Sequence, residues 1–345
     1  ISGIKSSSDK ISLMSTLIRK FPTSSLVTDA NMEIAQTYIA DERFKESIPY
    51  LNNVLKGDDN SSLKPHAYLK LGVVYYNLND NTDALKQYKT LITQYPNSPE
   101  AENALDNIKT IYIEDGKPNE YADFMRQAGR PISVSSEDSL TYAAAETQYE
   151  SGNTTAALNG FNNYLQRFPN GVYTIDANFN RGEIYDSKKD FTNALTGYEA
   201  VAANAPNNYA ERAILNAARI YFFEQKNYDK AETYYAQLKQ IASNQENKLE
   251  AMRGLLRCQY QLQKWDVALD NAKELSEAKG SSPDDKVLAD MTIAKSYEVK
   301  QQYDLAISSF KTVVQLNKGA LAADARYEIA NCWFAVNHLS DAEKA

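Results

Sequence analysis

The chain has 345 residues, 43% of them hydrophobic, enough to bury a large core as one long array or as two or three domains. Its 37 basic and 45 acidic residues leave a net charge of −8, which argues against wholesale nucleic-acid binding, because phosphate neutralisation needs a basic surface. No uninterrupted apolar run approaches twenty residues and the mean hydropathy is −0.54, so no segment reads as a membrane span.

Thirteen glycines and ten prolines leave most of the chain free to be helical, and 24 tyrosines suit repeated aromatic packing positions. Residues 1–22 read as the second helix of a hairpin, with Ile11, Met14, Leu17, Ile18 and Phe21 as its apolar stripe and Pro22 as its stop. The clearest unit follows, from Ala67 to Pro96, AYLKLGVVYYNLNDNTDALKQYKTLITQYP. Tyr68, Leu71, Gly72 and Tyr75 share one helix face, since residues three and four apart are neighbours. Ala84, Tyr88 and Leu91 form the stripe of a second helix, and Asn77 to Asn81 is the turn between the two. Gly72 and Ala84 are small where the two helices must approach closely.

With Gly72 as position 8 of a repeat, Ala35, Lys109, Ala145, Gly182, Ala218, Leu256, Ala294 and Ala330 are its equivalents, at spacings of 36 to 38 residues. Position 20 holds Ser47, Ala84, Ala157, Ala194, Ala231, Ala268, Ala306 and Ala342, with the third repeat out of line. Position 11 is Tyr38, Tyr75, Tyr112, Tyr185, Tyr221, Tyr297 and Trp333, with Gln148 and Gln259 as exceptions. The third repeat is weak: its second helix, about Asn119 to Ala128, is short and has Tyr121 at the small position. The run Gly129 to Ser136 that follows has no helical stripe, and Glu137-Asp138 suits the start of the next helix. This divides the chain into 1–129, a partial repeat plus three repeats, and 136–345, five repeats plus a truncated sixth, with a kink expected between them. Both ends fall inside hairpins, so the stretch reads as part of a longer array with exposed apolar stripes at each end.

The pattern x2-L-G-x2-Y…A-x3-aromatic…P resembles the tetratricopeptide repeat family, whose common repeat is about 34 residues. The resemblance covers essentially the whole chain. It implies an all-α, right-handed α-solenoid superhelix of helix-turn-helix hairpins, with no catalytic residues and no cofactor. The links Phe21-Pro-Thr-Ser-Ser, Tyr95-Pro-Asn-Ser-Pro and Phe168-Pro-Asn-Gly are similar to those of bacterial envelope proteins. Examples are the periplasmic Tol-Pal-associated protein, the outer-membrane assembly lipoprotein that helps insert β-barrels, and the long periplasmic repeat proteins of Bacteroidetes. Ala205-Pro-Asn-Asn and Leu316-Asn-Lys-Gly depart from that link. This similarity implies a periplasmic or outer-membrane-associated protein in association with outer-membrane or envelope complexes, with a cytoplasmic location as the alternative.

Enzyme chemistry finds little material. His66 and His338 are the only histidines and neither lies near a cysteine, so zinc sites and histidine-based triads lack their parts. No glycine-rich phosphate loop exists, and the acidic pairs Asp58-Asp59 and Asp284-Asp285 read as loop and capping residues. Cys258 and Cys332 read as buried, reduced thiols.

The family geometry implies that positions 2, 5, 9, 12 and 13 look inward. In the later repeats these positions hold Arg212, Arg219, Arg253, Arg257 and Lys295, and in the middle ones Glu146, Glu183 and Asp186. Aromatic residues alternate with them, including Tyr76, Tyr149, Phe222 and Tyr260 at position 12. Guanidinium groups hold carboxylates by forked hydrogen bonds and aromatic faces add apolar contact. The set therefore reads as a groove for a protein or peptide partner whose acidic end sits near the later repeats. The competing reading is a solvated face on which the stems of these residues lie against neighbouring apolar surface. A different class of function, a structural envelope subunit acting by self-association or glycan contact, fits the tyrosine content equally well.

Overall fold

The structure, a computed structural model, describes residues 6–57 and 62–344; the pair Asp58-Asp59 lies outside the described residues. Nineteen helices and no strand are found among the described residues. They fall into two compact units, Ile1–Phe168 and Pro169–Ala345. The first contains α1 (Ser7–Lys20), α2 (Leu26–Ala40), α3 (Phe44–Leu55), α4 (Leu63–Asn77), α5 (Asn81–Gln94), α6 (Pro99–Glu114), α7 (Pro118–Gln127), α8 (Val134–Glu150) and α9 (Thr154–Arg167). The second contains α10 (Thr174–Ser187), α11 (Phe191–Ala203), α12 (Ala210–Arg219), α13 (Tyr228–Ile241), α14 (Gln245–Gln261), α15 (Trp265–Glu277), α16 (Pro283–Val299), α17 (Tyr303–Leu316), α18 (Ala320–Ala335) and α19 (Leu339–Lys344). From α2 onwards each even-numbered helix packs against the odd-numbered one that follows it, so each unit is a stack of hairpins, the all-α solenoid that the repeat pattern implied.

One device closes every hairpin. The residue at position 15 adopts a left-handed backbone: Glu42, Asn79, Gly116, Gly152, Lys189, Gln263, Gln301 and Asn337 all have φ between +56° and +80°. The N–H after it donates back to the position-11 carbonyl, as in Asp80 to Tyr75 at 2.9 Å and Gln302 to Tyr297 at 2.9 Å. This is the six-to-one bond of a Schellman motif, which satisfies a carbonyl left over at the helix end. Where the donor residue is Asp or Asn its side chain caps the next helix: Asp80 and Asp190 accept from the N–H groups of Asp83 and Asn193, whereas Arg43, Lys117, Lys264 and Gln302 make no such bond. Only two of the left-handed residues are glycine, so the motif is enforced by packing on both sides of the turn.

Small residues admit aromatic rings. A Cβ added to Gly72, in the position-8 column, would lie 2.2 Å from the ring of Tyr88, and one on Gly254, two residues before that column, would lie 2.3 Å from Tyr235. The residue four beyond the position-20 column is buried throughout: Leu51, Tyr88, Met125, Phe161, Tyr198, Tyr235, Ala272 and Phe310. These residues, with the small columns, are the core.

One hairpin departs from the count. Ala218 and Ala231 are 13 residues apart, where the equivalent pairs in other hairpins are 12 apart. The surplus residue is taken up by a π-helical turn, Ile220–Glu224, directly after α12. The left-handed residue moves one place to Lys226 accordingly. A π-turn is the usual way a helix absorbs one inserted residue.

The weak third repeat packs differently from expectation. The boundary between compact units lies at Phe168–Pro169, one hairpin later than the division placed at 129–136. Helix α7 is ten residues long, and Ile132 from the connecting run packs into the same cluster as Tyr112, Tyr121 and Leu140. The connecting run is shorter than the sequence suggested, because α8 starts at Val134 under a Ser133 cap. Asp138 accepts the Tyr164 hydroxyl at 2.6 Å. Asp284 and Asp285, expected in a loop, lie in the first turn of α16, where Asp285 and Ser282 form a reciprocal capping box.

Candidate protein-interaction face

Four of the five basic residues on the expected inward positions are occupied by acids of the same chain. Within Pro169–Ala345, Arg212 of α12 pairs with Glu183 of α10 and also lies over the Phe179 ring at 5.2 Å. Arg219 of α12 donates to Glu250 of α14 at 3.0 Å. Glu250 also accepts from Arg253, 3.3 Å away on its own helix, and Arg253 reaches on to both carboxylate oxygens of Asp285 in α16. Lys295 of α16 lies 2.6 Å from Glu328 of α18 and 2.8 Å from Glu298. Each adjacent pair of first helices from α10 to α18 is thus joined by one rung.

The rungs differ in burial, and so in energy. Asp285 is 3% exposed and Arg253 26%, whereas Arg212 is 65% exposed. Burial raises the Asp285 pKa, but the Arg253 fork and the Ser282 bonds outweigh it and hold the carboxyl below its ordinary value. Glu328 is likewise lowered: its burial is outweighed by bonds from Lys295 and Asn331. Burial would lower Lys295, yet its two carboxylate partners raise it.

Arg257 is the exception. The first two rungs join position 9 of one helix to position 2 of the next: Glu183 to Arg212, then Arg219 to Glu250. In the pair α14–α16 those positions hold Arg257 and Leu288, so the rung moves back one turn to Arg253 and Asp285. Arg257 is exposed and makes no ion pair among the described residues.

The aromatic candidates are mostly engaged as well. The Tyr76 hydroxyl lies 2.8 Å from both Glu114 oxygens, and that bond, with burial, raises its pKa. Tyr149 meets Phe161 edge-on at 6.3 Å and Tyr260 meets Trp265 edge-on at 5.3 Å. Phe222 contacts Phe223 and Tyr228, at 4.8 and 5.2 Å. At position 5, Tyr142 and Phe179 are buried between helices, whereas Tyr327 is exposed. Phe223, which the column reading passed over, is 54% exposed and belongs to the π-turn. The 13-residue spacing was its signal.

Cys258 and Cys332 are unpaired and buried, and burial raises their pKa values to about 12 and about 11. Among the described residues no group of three metal-binding side chains comes together, and no helix is long and apolar enough to cross a membrane.

Residues 66–98, 142–209 and 212–244 match tetratricopeptide repeat family models. These segments are similar to tetratricopeptide repeats. Repeats of this family generally mediate protein–protein interaction. Among solved structures, one from a functional characterisation of Pseudomonas aeruginosa pilF is 16% identical, covering 65% of this chain and 95% of that one at a TM-score of 0.30. The TPR domain of P58(IPK) is 14% identical over 96% of this chain and 94% of its own, at 0.31. A tetratricopeptide repeat protein from Parabacteroides merdae is 17% identical over 75% and 95%, at 0.29. No curated protein matches the chain.

Proposed function

We propose that the chain is a non-enzymatic scaffold that holds an acidic segment of a partner protein on the first-helix face of Pro169–Ala345, with Arg257 as the anchoring cation. The observation that carries this reading is that Arg257 alone of the five basic candidates is left without an acid of its own chain. Tyr260 lies one turn along the same helix, and Phe222 and Phe223 stand on the neighbouring first helix. A guanidinium with aromatic neighbours suits a carboxylate-bearing peptide that also has apolar side chains. The net charge of −8 gives an acidic partner no long-range attraction, so recognition rests on short-range contacts.

The other candidates take a different role in this reading. Arg212, Arg219, Arg253 and Lys295 set the register of the first helices and so position Arg257. The aromatic-Pro-Asn links after α5 and α9 support a cell-envelope setting, periplasmic or outer-membrane-associated.

The test is affinity capture from the source cells with the full-length protein as bait, wild type against Arg257→Glu. Arg257 has no partner to lose, so the variant is expected to unfold within about 0.5 kcal/mol of wild type. It is expected to lose a protein that the wild type retains. Retention of the same proteins by both baits overturns the assignment of Arg257. Oligomerisation of the wild type without any captured partner favours a self-associating structural subunit instead.

A further inference from the structure

In three hairpins, position 11 of the first helix meets the residue three beyond the small column of the second helix. Tyr38 meets Tyr50 there at 5.7 Å, and Tyr221 stacks on Tyr234 at 5.6 Å with their planes 14° apart. Gln259 accepts from the Asn271 carboxamide at 3.0 Å in the same place. The hairpin of α8 and α9 carries Gln148 and Gly160 at these two positions, so it has neither the ring pair of α12–α13 nor the carboxamide pair of α14–α15.

Gln148 does not fill the gap. Its Nε2 donates to the Glu114 carbonyl at 2.6 Å and its Oε1 accepts from Asn153 at 3.0 Å, which folds the side chain back over the turn. Gly160 brings α9 hard against α8, since a Cβ there would lie 2.7 Å from that of Ala145. The short α7 does not close the outer side. What remains is a cleft of about 320 Å³ within Ile1–Phe168, floored by Ala144, Ala145 and Gly160 and rimmed by Asp115, Asn159 and Asn163. That volume lies within the usual range of small-ligand sites, about 300–1,000 Å³. The Asn159 and Asn163 side chains make no hydrogen bond among the described residues.

The chain shows what such a space holds. In the α12–α13 hairpin it is filled by the Tyr221–Tyr234 stack, with both hydroxyls directed to the Glu199 carboxylate and the Tyr221 hydroxyl accepting from Lys230 at 2.8 Å. We propose that the α8–α9 cleft receives a tyrosine side chain of a partner protein. Its ring would lie on the alanine and glycine floor, and its hydroxyl and backbone would meet Asp115 and the two asparagine carboxamides. Flat apolar contact over small residues, with a polar tip that needs a partner, is the chemistry of tyrosine at interfaces. This site is separate from the Arg257 face, and neither proposal depends on the other.

The probe is N-acetyl-tyrosinamide, titrated into the full protein while the amide signals of α8 and α9 and the side-chain amides of Asn159 and Asn163 are followed by NMR. The expected result is saturable shifts confined to these groups, with no such response to N-acetyl-alaninamide. Gln148→Tyr places the chain's own ring in the cleft and should weaken the probe by at least about tenfold. Ala156→Leu fills the same space from α9 and should do likewise, so the test survives if one variant does not fold. Equal responses to the two amides overturn the proposal, as does undiminished tyrosinamide binding in a folded cleft-filled variant.

Discussion

Replacing Arg253 by Met removes the fork on Asp285 while keeping the stem that packs between α14 and α16. The carboxylate it leaves is 3% exposed and retains only the capping-box bond it accepts from the Ser282 N–H. Breaking a fully buried pair costs about 3–5 kcal/mol, whereas an exposed pair is worth about 0.2–1 kcal/mol. Arg253 is 26% exposed, which puts its rung between these limits, at about 2–3 kcal/mol. The matching change Arg212→Met, at a cation 65% exposed, should cost under about 1 kcal/mol. Native-state hydrogen exchange resolves the two: amides of α14 and α16 should exchange roughly 30- to 150-fold faster in Arg253→Met, with little change around α12 in Arg212→Met. The pH dependence has a definite sign. The folded pKa of Asp285 lies below its ordinary 3.8, so the wild type holds this stability above that value and loses it as pH falls through the folded pKa. The gap between wild type and Arg253→Met should therefore be full at pH 7 and shrink in acid below 3.8. Equal, small effects of the two substitutions at pH 7 would refute the graded ladder.

Gln263 holds φ at +56° without being glycine, so Gln263→Gly should raise stability by about 0.5–1 kcal/mol in urea unfolding. Gly72→Ala drives a Cβ into the ring of Tyr88, which is 1% exposed and has nowhere to turn, and should cost about 1–3 kcal/mol in the same assay. Deleting Phe223 removes the surplus residue of the π-turn; the protein should keep its helical circular dichroism, whereas deleting Val73 from the regular helix α4 should lower both helicity and melting temperature. Cys258 and Cys332, with thiols pushed up to about 12 and about 11, should resist a thiol reagent at pH 8 until the protein is unfolded, when both react.

The parts of the fold that were legible in the sequence are those that one residue type alone can satisfy. Close helix approach needs Gly72 or Ala84, and the ring that enters the gap is Tyr88, so these recur at fixed spacing. The turns were not legible in the same way: Glu42, Lys189, Gln263 and Gln301 are not turn residues, and their left-handed backbone is imposed by the bond across them and the helices on either side. The ladder was hidden for a different reason. Arg253 and Asp285 are 32 residues apart, and only the stagger between two parallel first helices decides that they meet. Read as columns, the arginines looked like a surface awaiting an acid; for Arg212, Arg219 and Arg253 the neighbouring helix had already supplied one. Gln148 was visible as an exception to the tyrosine column, but its meaning depends on Gly160 facing it.

The repeat departs from its own rules at two places, and the physics of each sets what it can do. An extra residue in an α-helix would rotate everything after it by about 100° and carry Ala231 off the core face. The π-turn confines that rotation to five residues, and the bond from the Asn227 N–H to the Tyr221 carbonyl spans six residues where other hairpins span five. The register is restored before α13 begins, and the surplus appears as Phe223 on the surface. At α8 and α9 nothing is added; Gln148 and Gly160 stand where α12 and α13 have the Tyr221–Tyr234 pair, and the hairpin keeps its register through Gly160 against Ala145 and its turn through the folded-back Gln148. An insertion that keeps register puts a side chain outside, and a ring pair that no other side chain replaces leaves a space inside. The first gives an exposed aromatic on the first helix next to that of Arg257, and the second gives a ring-sized cleft. Both departures sit where the hairpin keeps its register without the replaced or surplus group.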